Sequence, residues 1–440
     1  MTADDAASRR GVGSGRFGTW ALSQGPLRSL RHPLFRAYWA SFALTQVGFW
    51  MANVSLQWLA ARITDSDPFL LGLLYFFNLI PLLVFSPWAG VVADRFPRSR
   101  VVALSQILIC LTSLVMVLLF ALGAGERLLV VYTFAFGLGL FMALAAPSSQ
   151  AIVVNTVPPA DVPSAVGLQA ASMNVARVVG PGLVTPVLVI IGPGPVFAVY
   201  AAVSGFAGWV IARLKLPRQS PLLGEPSTWS RIVQGIDHVR ERPVAGQALI
   251  MVAGTAVLAS AYVSQLPVVA YDILGGDDAT FTALVVATGI GAVGGALFTS
   301  WRSSVPKIRG IAVQMAALGL LLAAMMNALS YLVVLGLAVA VSILNFSIMT
   351  GLNVIVQTVV AEHTRGRVMS LHVLAWGGMV PVGALLYGWL ASLLGLPLAS
   401  ITLGGLQVAL AVTMLAVVPQ RRGNGPVVGK IDEEGEHGAA

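Results

Sequence analysis

Long apolar runs alternate with short polar breaks almost from end to end of the chain. Twelve runs stand out, at 37–61, 70–93, 101–123, 128–154, 164–191, 194–214, 244–270, 279–301, 309–328, 330–358, 368–392 and 396–418. Each is long enough to cross a hydrocarbon layer of about 30 Å as a helix. One such run could be a buried helix of a large soluble protein, but twelve in series could not. The first run is too long for the apolar part of a secretory signal and lacks a following small-residue cleavage site. The pattern therefore predicts an all-α integral membrane protein of twelve transmembrane helices.

Polar positions inside the runs are few and periodic. In the first run Gln46, Trp50, Asn53 and Gln57 fall at i, i+4, i+7 and i+11, which is one helical face. Amides on one stripe are costly against lipid, so the stripe predicts an inward face, either lining a cavity or bonding neighbouring helices. Thr350, Asn353 and Gln357 repeat the spacing in the tenth run, and Tyr262 and Gln265 are three apart in the seventh. His372, Trp376 and Met379 share a face in the eleventh, and His372 is the one histidine inside a run. Arg177 stands alone in "ASMNVARVVGPG", with no other charge for about ten residues on either side. An unpaired charge at that depth costs about 2.5–3.5 kcal/mol on insertion scales, so Arg177 is expected to face protein or a hydrated cavity.

The texture breaks once. "LPRQSPLLGEPSTWS" (216–230) has three prolines and reads as a linker, followed by "STWSRIVQGIDHVRERP" with the pattern of an amphipathic surface helix. The expected organisation is a disordered tail (1–30), a six-helix bundle (31–215), a linker (216–243), a second six-helix bundle (244–420) and a second disordered tail (421–440). "VVNTVPPADVPSAVGL" and "VIVQTVVAEHTRGRVMSL" occupy matching positions in the two bundles. Paired repeats of this kind commonly hold a substrate near the bilayer midplane.

Charge adds orientation. Of 26 Lys/Arg, 23 lie in the two tails and the even-numbered loops, and the odd-numbered loops hold only Arg62 and Arg127. The positive-inside rule then predicts both termini in the cytoplasm of a multi-pass plasma (inner) membrane protein. The net charge of +8 is thus a topology signal that could favour anionic lipid and gives no reason to invoke nucleic acid. The single Cys110 cannot form an intramolecular disulfide and reads as a small packing residue.

"GVVADRFPRSR" (90–100) follows the second run. Gly90, Asp94, Arg95 and Arg98 match the G-x-x-x-D-R-x-x-R signature loop of the major facilitator superfamily, with Pro97 where that family usually has glycine. "RHPLFRAYWASF", "ADRFPRSRVV", "ARVVGPGL" and "TRGRVMSL" occur in the order seen in the subfamily of the enterobactin exporter and macrolide efflux proteins, which the chain resembles over about 31–420. The resemblance implies that Asp94 meets the N-terminal end of the eleventh helix as a gate, held by Arg95 and Arg98. It implies that the first, fourth, seventh and tenth helices line a central cavity. "VGPG" resembles an incomplete form of the fifth-helix Gly-Pro element of exporters, in which Gly180 and Gly182 permit close packing and Pro181 frees a carbonyl.

These readings converge on a secondary active transporter that exports amphipathic small molecules, such as a siderophore, a macrolide-like drug or another secondary metabolite, by alternating access. The alternatives are an importer of a small polar solute and a transporter-like sensor that moves nothing. The substrate-binding candidates are Gln46, Trp50, Asn53, Gln57, Arg177, Tyr262, Gln265 and Asn353. Gly90, Asp94, Arg95, Arg98, Gly180 and Pro181 are the gating candidates, and His372 is the candidate for proton coupling. All 18 Asp/Glu lie in loops, tails or run ends, so an ordinary intramembrane salt bridge to Arg177 is not expected. No phosphate loop of the G-x-x-x-x-G-K-[ST] type occurs. The expectation is a non-enzymatic monomer without metal or cofactor, whose partners are a small-molecule substrate and membrane lipid.

Overall fold

The computed structural model describes residues 25, 27–214, 237–239, 242–301, 305–360 and 362–417, apart from the side chains of Pro87, Asp94, Ser300, Glu362 and His363. Twelve spans are present among these residues. They are α1 (Pro33–Ile63), α2 (Pro68–Arg95), α3 (Arg98–Ala121), α4 (Leu128–Asn155), α5 (Val162–Ile190) and α6 (Gly194–Arg213). The second six are α7 (Pro243–Leu258 and its continuation to Ile273), α8 (Asp278–Trp301), α9 (Ile308–Asn327), α10 (Tyr331–Val359), α11 (Glu362–Gly377, resumed as Met379–Leu394) and α12 (Leu396–Val417). Eleven are long and apolar enough to cross a membrane by length and composition. The exception is α1, whose 31 residues suffice in length but carry the amide stripe. Most of the expected linker helix, the tail 421–440 and most of the tail 1–30 lie outside the described residues; the end of the first tail is ordered rather than disordered, as a 3-10 turn over Arg28–Arg31 held by Asp161.

α1–α6 pack on one another, as do α7–α12, and the two groups meet chiefly along α2 with α11 and α5 with α8. Small residues permit the closest approaches. A Cβ at Gly72 would lie 2.4 Å from the Ala384 carbonyl oxygen, and one at Gly388 would lie 2.5 Å from that of Pro68. Tyr38, Tyr200, Tyr262 and Tyr387 are the largest fully buried side chains.

Two spans are irregular. Beyond Leu258, α7 tightens into a 3-10 stretch over Ser260–Gln265, a short helix and a π turn over Val269–Ile273. Pro267 has no N–H to give, and non-helical backbone at membrane depth is tolerated where protein covers it. Here Ala261, Tyr262, Ser264 and Gln265 are all buried. By contrast α5 runs as one helix through Pro181 and Pro186.

The signature loop is only Phe96–Pro97, between the end of α2 and the start of α3. Arg95 is exposed and Arg98 half-buried, while the Asp94 side chain lies outside the described residues. A Cβ at Gly90 or Gly182 would meet nothing within 4 Å. The close approach expected at Gly182 is therefore not made in this conformation, and Gly90 likewise meets no neighbouring helix. Gly180 does make one, since its Cβ would fall 2.6 Å from Cβ of Trp50.

An ion cluster ties the chain's start to the basic end of the first bundle. Asp161, 2% exposed, lies 3.1 Å from Arg28 Nε, 2.9 Å from Arg31 Nη2 and 2.7 Å from His32 Nε2. Arg28 also donates to the Ala160 carbonyl. The opposite end is tied differently. Arg62 at the end of α1 is 3.0 Å from Asp278 at the start of α8, and the Tyr271 hydroxyl donates to the same carboxylate at 3.0 Å.

Candidate functional site: an aromatic-flanked arginine between the halves

Arg177 lies where the halves meet. Its Cζ is 5.0 Å from the Trp50 ring centroid on α1 and 4.4 Å from the Phe346 ring centroid on α10. The flanking rings thus come from different bundles. The Nε and Nη1 atoms are buried and have no hydrogen-bond partner. Cation–π contacts are worth about 0.5–1 kcal/mol when exposed and roughly 2 when desolvated. Two of them can offset much of the cost of placing the charge there, yet they satisfy no N–H. The residue is held without being saturated.

The backbone at Arg177 is equally constrained. Pro181, four residues on, cannot donate to the Arg177 carbonyl, which is thereby freed. A Cβ at Gly289 of α8 would lie 2.9 Å from that oxygen, so glycine there lets α8 close on the unpaired carbonyl.

The amide stripe divides in two. Gln57 donates to Asn53 at 3.0 Å, Asn53 to Asn78 at 3.4 Å, and Asn78 to the Ala135 carbonyl at 3.2 Å. This chain joins α1, α2 and α4, so Asn53 and Gln57 serve here as bonds between helices. Trp50 supports Arg177. Gln46, a turn earlier, is buried and lines a separate cavity together with α3, α4 and α5.

On the second bundle, Tyr262 is buried beside Ser342. The 3-10 geometry of three residues per turn brings Gln265 onto the same side. Gln265 donates to the Pro68 carbonyl at 3.1 Å, tying α7 to the start of α2. Asn353 is half-buried and accepts from Gln357, which is exposed. His372 is buried with Nδ1 unbonded. The structure therefore brings Trp50, Arg177 and Tyr262 toward one centre, and puts Gln265 in a tie and Gln46 in a side cavity. Phe346 was not among the sequence candidates. Phe346 reads as one more apolar residue of its run, and only its placement opposite Arg177 marks it.

A sequence profile of a family described as transmembrane secretion effector matches residues 24–425. The Staphyloferrin A transporter of Staphylococcus aureus (strain NCTC 8325 / PS 47) is 25% identical over 374 residues, covering 82% of this chain and 90% of that protein. A D-xylose–proton symporter superposes with a TM-score of 0.67 at 15% identity, over 88% of this chain and 98% of its own. A bacterial homologue of the human lysosomal transporter Spinster, in an inward-facing and occupied conformation, gives 0.67 at 15% identity, over 88% and 96%.

Proposed function

The chain belongs to the transmembrane secretion effector family of the major facilitator superfamily, and from that premise we propose that it exports amphipathic small molecules bearing carboxylate or carbonyl oxygens. The observation that carries the reading is Arg177, whose buried Nε and Nη1 lack partners between Trp50 and Phe346. A planar fork of donors suits carboxylate or carbonyl oxygens. The relative named as a Staphyloferrin A transporter supports a siderophore as one such molecule. The family's description as a secretion effector supports the outward direction.

Transport proceeds by alternating access. The conformation described here is tied at the end carrying Arg62, Gln265 and Asp278. Toward the basic end, Gln150, Ala170, Met173 and Gln357 are exposed. With the basic end cytoplasmic, this is the state that loads substrate from inside. Substrate oxygens take the free N–H groups of Arg177, the halves rock, and the short-loop end opens. Asp94, Arg95 and Arg98 act as the gate at the basic end, and His372 is the group we assign to proton coupling.

The test uses Arg177→Lys, which keeps the charge and loses the fork. The wild type should drive uptake of an external carboxylate siderophore into inverted vesicles and release of the same compound from loaded right-side-out vesicles. Arg177→Lys should melt within a few degrees of wild type and transport at least tenfold more slowly per folded molecule. Unchanged transport per folded molecule, with a lowered melting temperature, would reduce Arg177 to a packing residue.

A further inference from the structure

We propose that a second, uncharged binding pocket lies one helical turn from Arg177 and takes the neutral, amide- or hydroxyl-bearing body of an organic molecule. The inference rests on the export reading but uses different residues. A cavity of about 280 Å³ is bounded by α1, α3, α4 and α5, with Ile211 of α6 closing one side. Gln46, Gln106, Gln150 and Gln169 line it, and no charged side chain does. The rest of its wall is largely apolar, including Met142 and Met173.

The amides are not occupied by the protein. Gln46 is 8% exposed, and no described residue bonds its side chain. Gln106 Oε1 is buried without a partner. Tyr38 and Ser149, also in the wall, already bond one another. A buried amide without a partner is disfavoured relative to an apolar side chain of the same size. Gln106 Oε1 is such an acceptor, and the open Gln46 amide in the same wall adds a second group, so together they point to a ligand that completes them. Glutamine both donates and accepts, so it suits amides, esters and hydroxyls. An acyl chain would leave every amide unpaired, and an ion would find no counter-charge.

Position connects this pocket to Arg177. Gln46 precedes Trp50 by four residues on α1, and Met173 precedes Arg177 by four on α5. Four residues of helix rise about 6 Å. A molecule of modest length can thus place an acidic end on Arg177 and its neutral body among the glutamines. Both stripes run toward the basic end, so the pocket is the first part of the site that a molecule entering from there meets.

The experiment uses the full chain in phosphatidylcholine nanodiscs and a matched pair of probes, N-acetyl-leucyl-leucinamide and N-acetyl-leucyl-leucine. They share one body, and only the second carries a charge. Binding of the neutral amide is expected in the wild type and should weaken at least tenfold in Gln46→Leu/Gln106→Leu. That variant should melt no lower than wild type, because the unpaired amides are gone. The neutral amide should also slow alkylation of Met173→Cys by N-ethylmaleimide in a Cys110→Ala background, which reads the pocket in a protein whose glutamines are intact. Equal binding by wild type and double variant, or no protection of Met173→Cys, overturns the proposal and leaves the cavity to water or acyl chains. Binding of the carboxylate probe without the neutral one would remove the pocket while sparing the role of Arg177.

Discussion

If the halves rock, residues that touch only when one end is closed should control which end is closed. Gly72 and Gly388 are such residues, because both pack α2 against α11 across the interface. A Cβ at Gly72 would lie 2.4 Å from the Ala384 oxygen, whereas an unstrained C···O contact is about 3.3–3.6 Å. Gly72→Ala must therefore push α2 and α11 apart by about 1 Å or strain both. Overpacking of this kind costs roughly 1–3 kcal/mol. Here the penalty applies only while this end is shut. It should therefore shift the equilibrium toward opening at this end by about 5- to 150-fold. Gly139 is the control. Its Cβ would fall 2.0 Å from the Asn78 oxygen, but both residues belong to the first bundle and move together. Spin labels at Ala124→Cys and Leu329→Cys, in a Cys110→Ala background, report the distance across this end by double electron–electron resonance. Gly72→Ala and Gly388→Ala should lengthen the distribution, and Gly139→Ala should lower the melting temperature without changing it. A Gly72→Ala protein with the wild-type distribution and a melting loss like that of Gly139→Ala would refute the reasoning.

Two further outcomes are expected at the same end. The Arg62–Asp278 pair has side chains 58% and 15% exposed, and exposed pairs are worth only about 0–1 kcal/mol. Asp278→Asn should therefore change the transport rate by no more than about fivefold, with the difference shrinking at high salt; a larger, salt-independent loss would make the pair a principal lock. Asp277 caps α8, accepting from the Thr280 backbone N–H and hydroxyl, and these bonds hold its carboxyl below the ordinary carboxylate range. A depressed folded value means that its stabilisation is complete above the ordinary range and is lost as pH falls through the folded value. The melting temperature of wild type minus that of Asp277→Ala should be constant near neutrality and shrink below about pH 4. A gap that persists at pH 3 would show that the charge is irrelevant to the cap.

Spans were legible because length and apolarity are local properties, and even α1 stood out as an apolar run despite its amide stripe. Arg177 was legible by its isolation. Partners were not. The stripe identifies Asn53 and Gln57 as inward-facing, but only tertiary structure shows that they bond one another and Asn78 while Gln46 remains open. Phe346 lies 169 positions from Arg177 and has no polar signal. The break in α7 was hidden because Pro267 sits near the end of an otherwise continuous apolar run. Asp161 follows a Pro-Pro pair in a loop with no basic residue of its own, and its partners Arg28, Arg31 and His32 are some 130 residues earlier. Gly90 shows the converse, since a motif position gives a glycine but not the conformation in which the glycine is needed.

A ligand can move a conformational equilibrium only by as much as it prefers one state over the other. Arg177 is positioned to supply such a preference because neither half holds it alone. Trp50 and Gly180 fix it on the first bundle's side, and Phe346 and Gly289 meet its guanidinium and its freed carbonyl from the second. Rotation of one bundle against the other must change at least the Phe346 and Gly289 contacts. The solvation and spacing of the guanidinium then differ between states, and on the proposed reading so does its affinity for an oxygen ligand. An arginine buried within one bundle would bind equally in both states and could not drive transport. On the proposed reading, the cost of placing a charge at this depth falls where ligand binding and rocking share the same atoms.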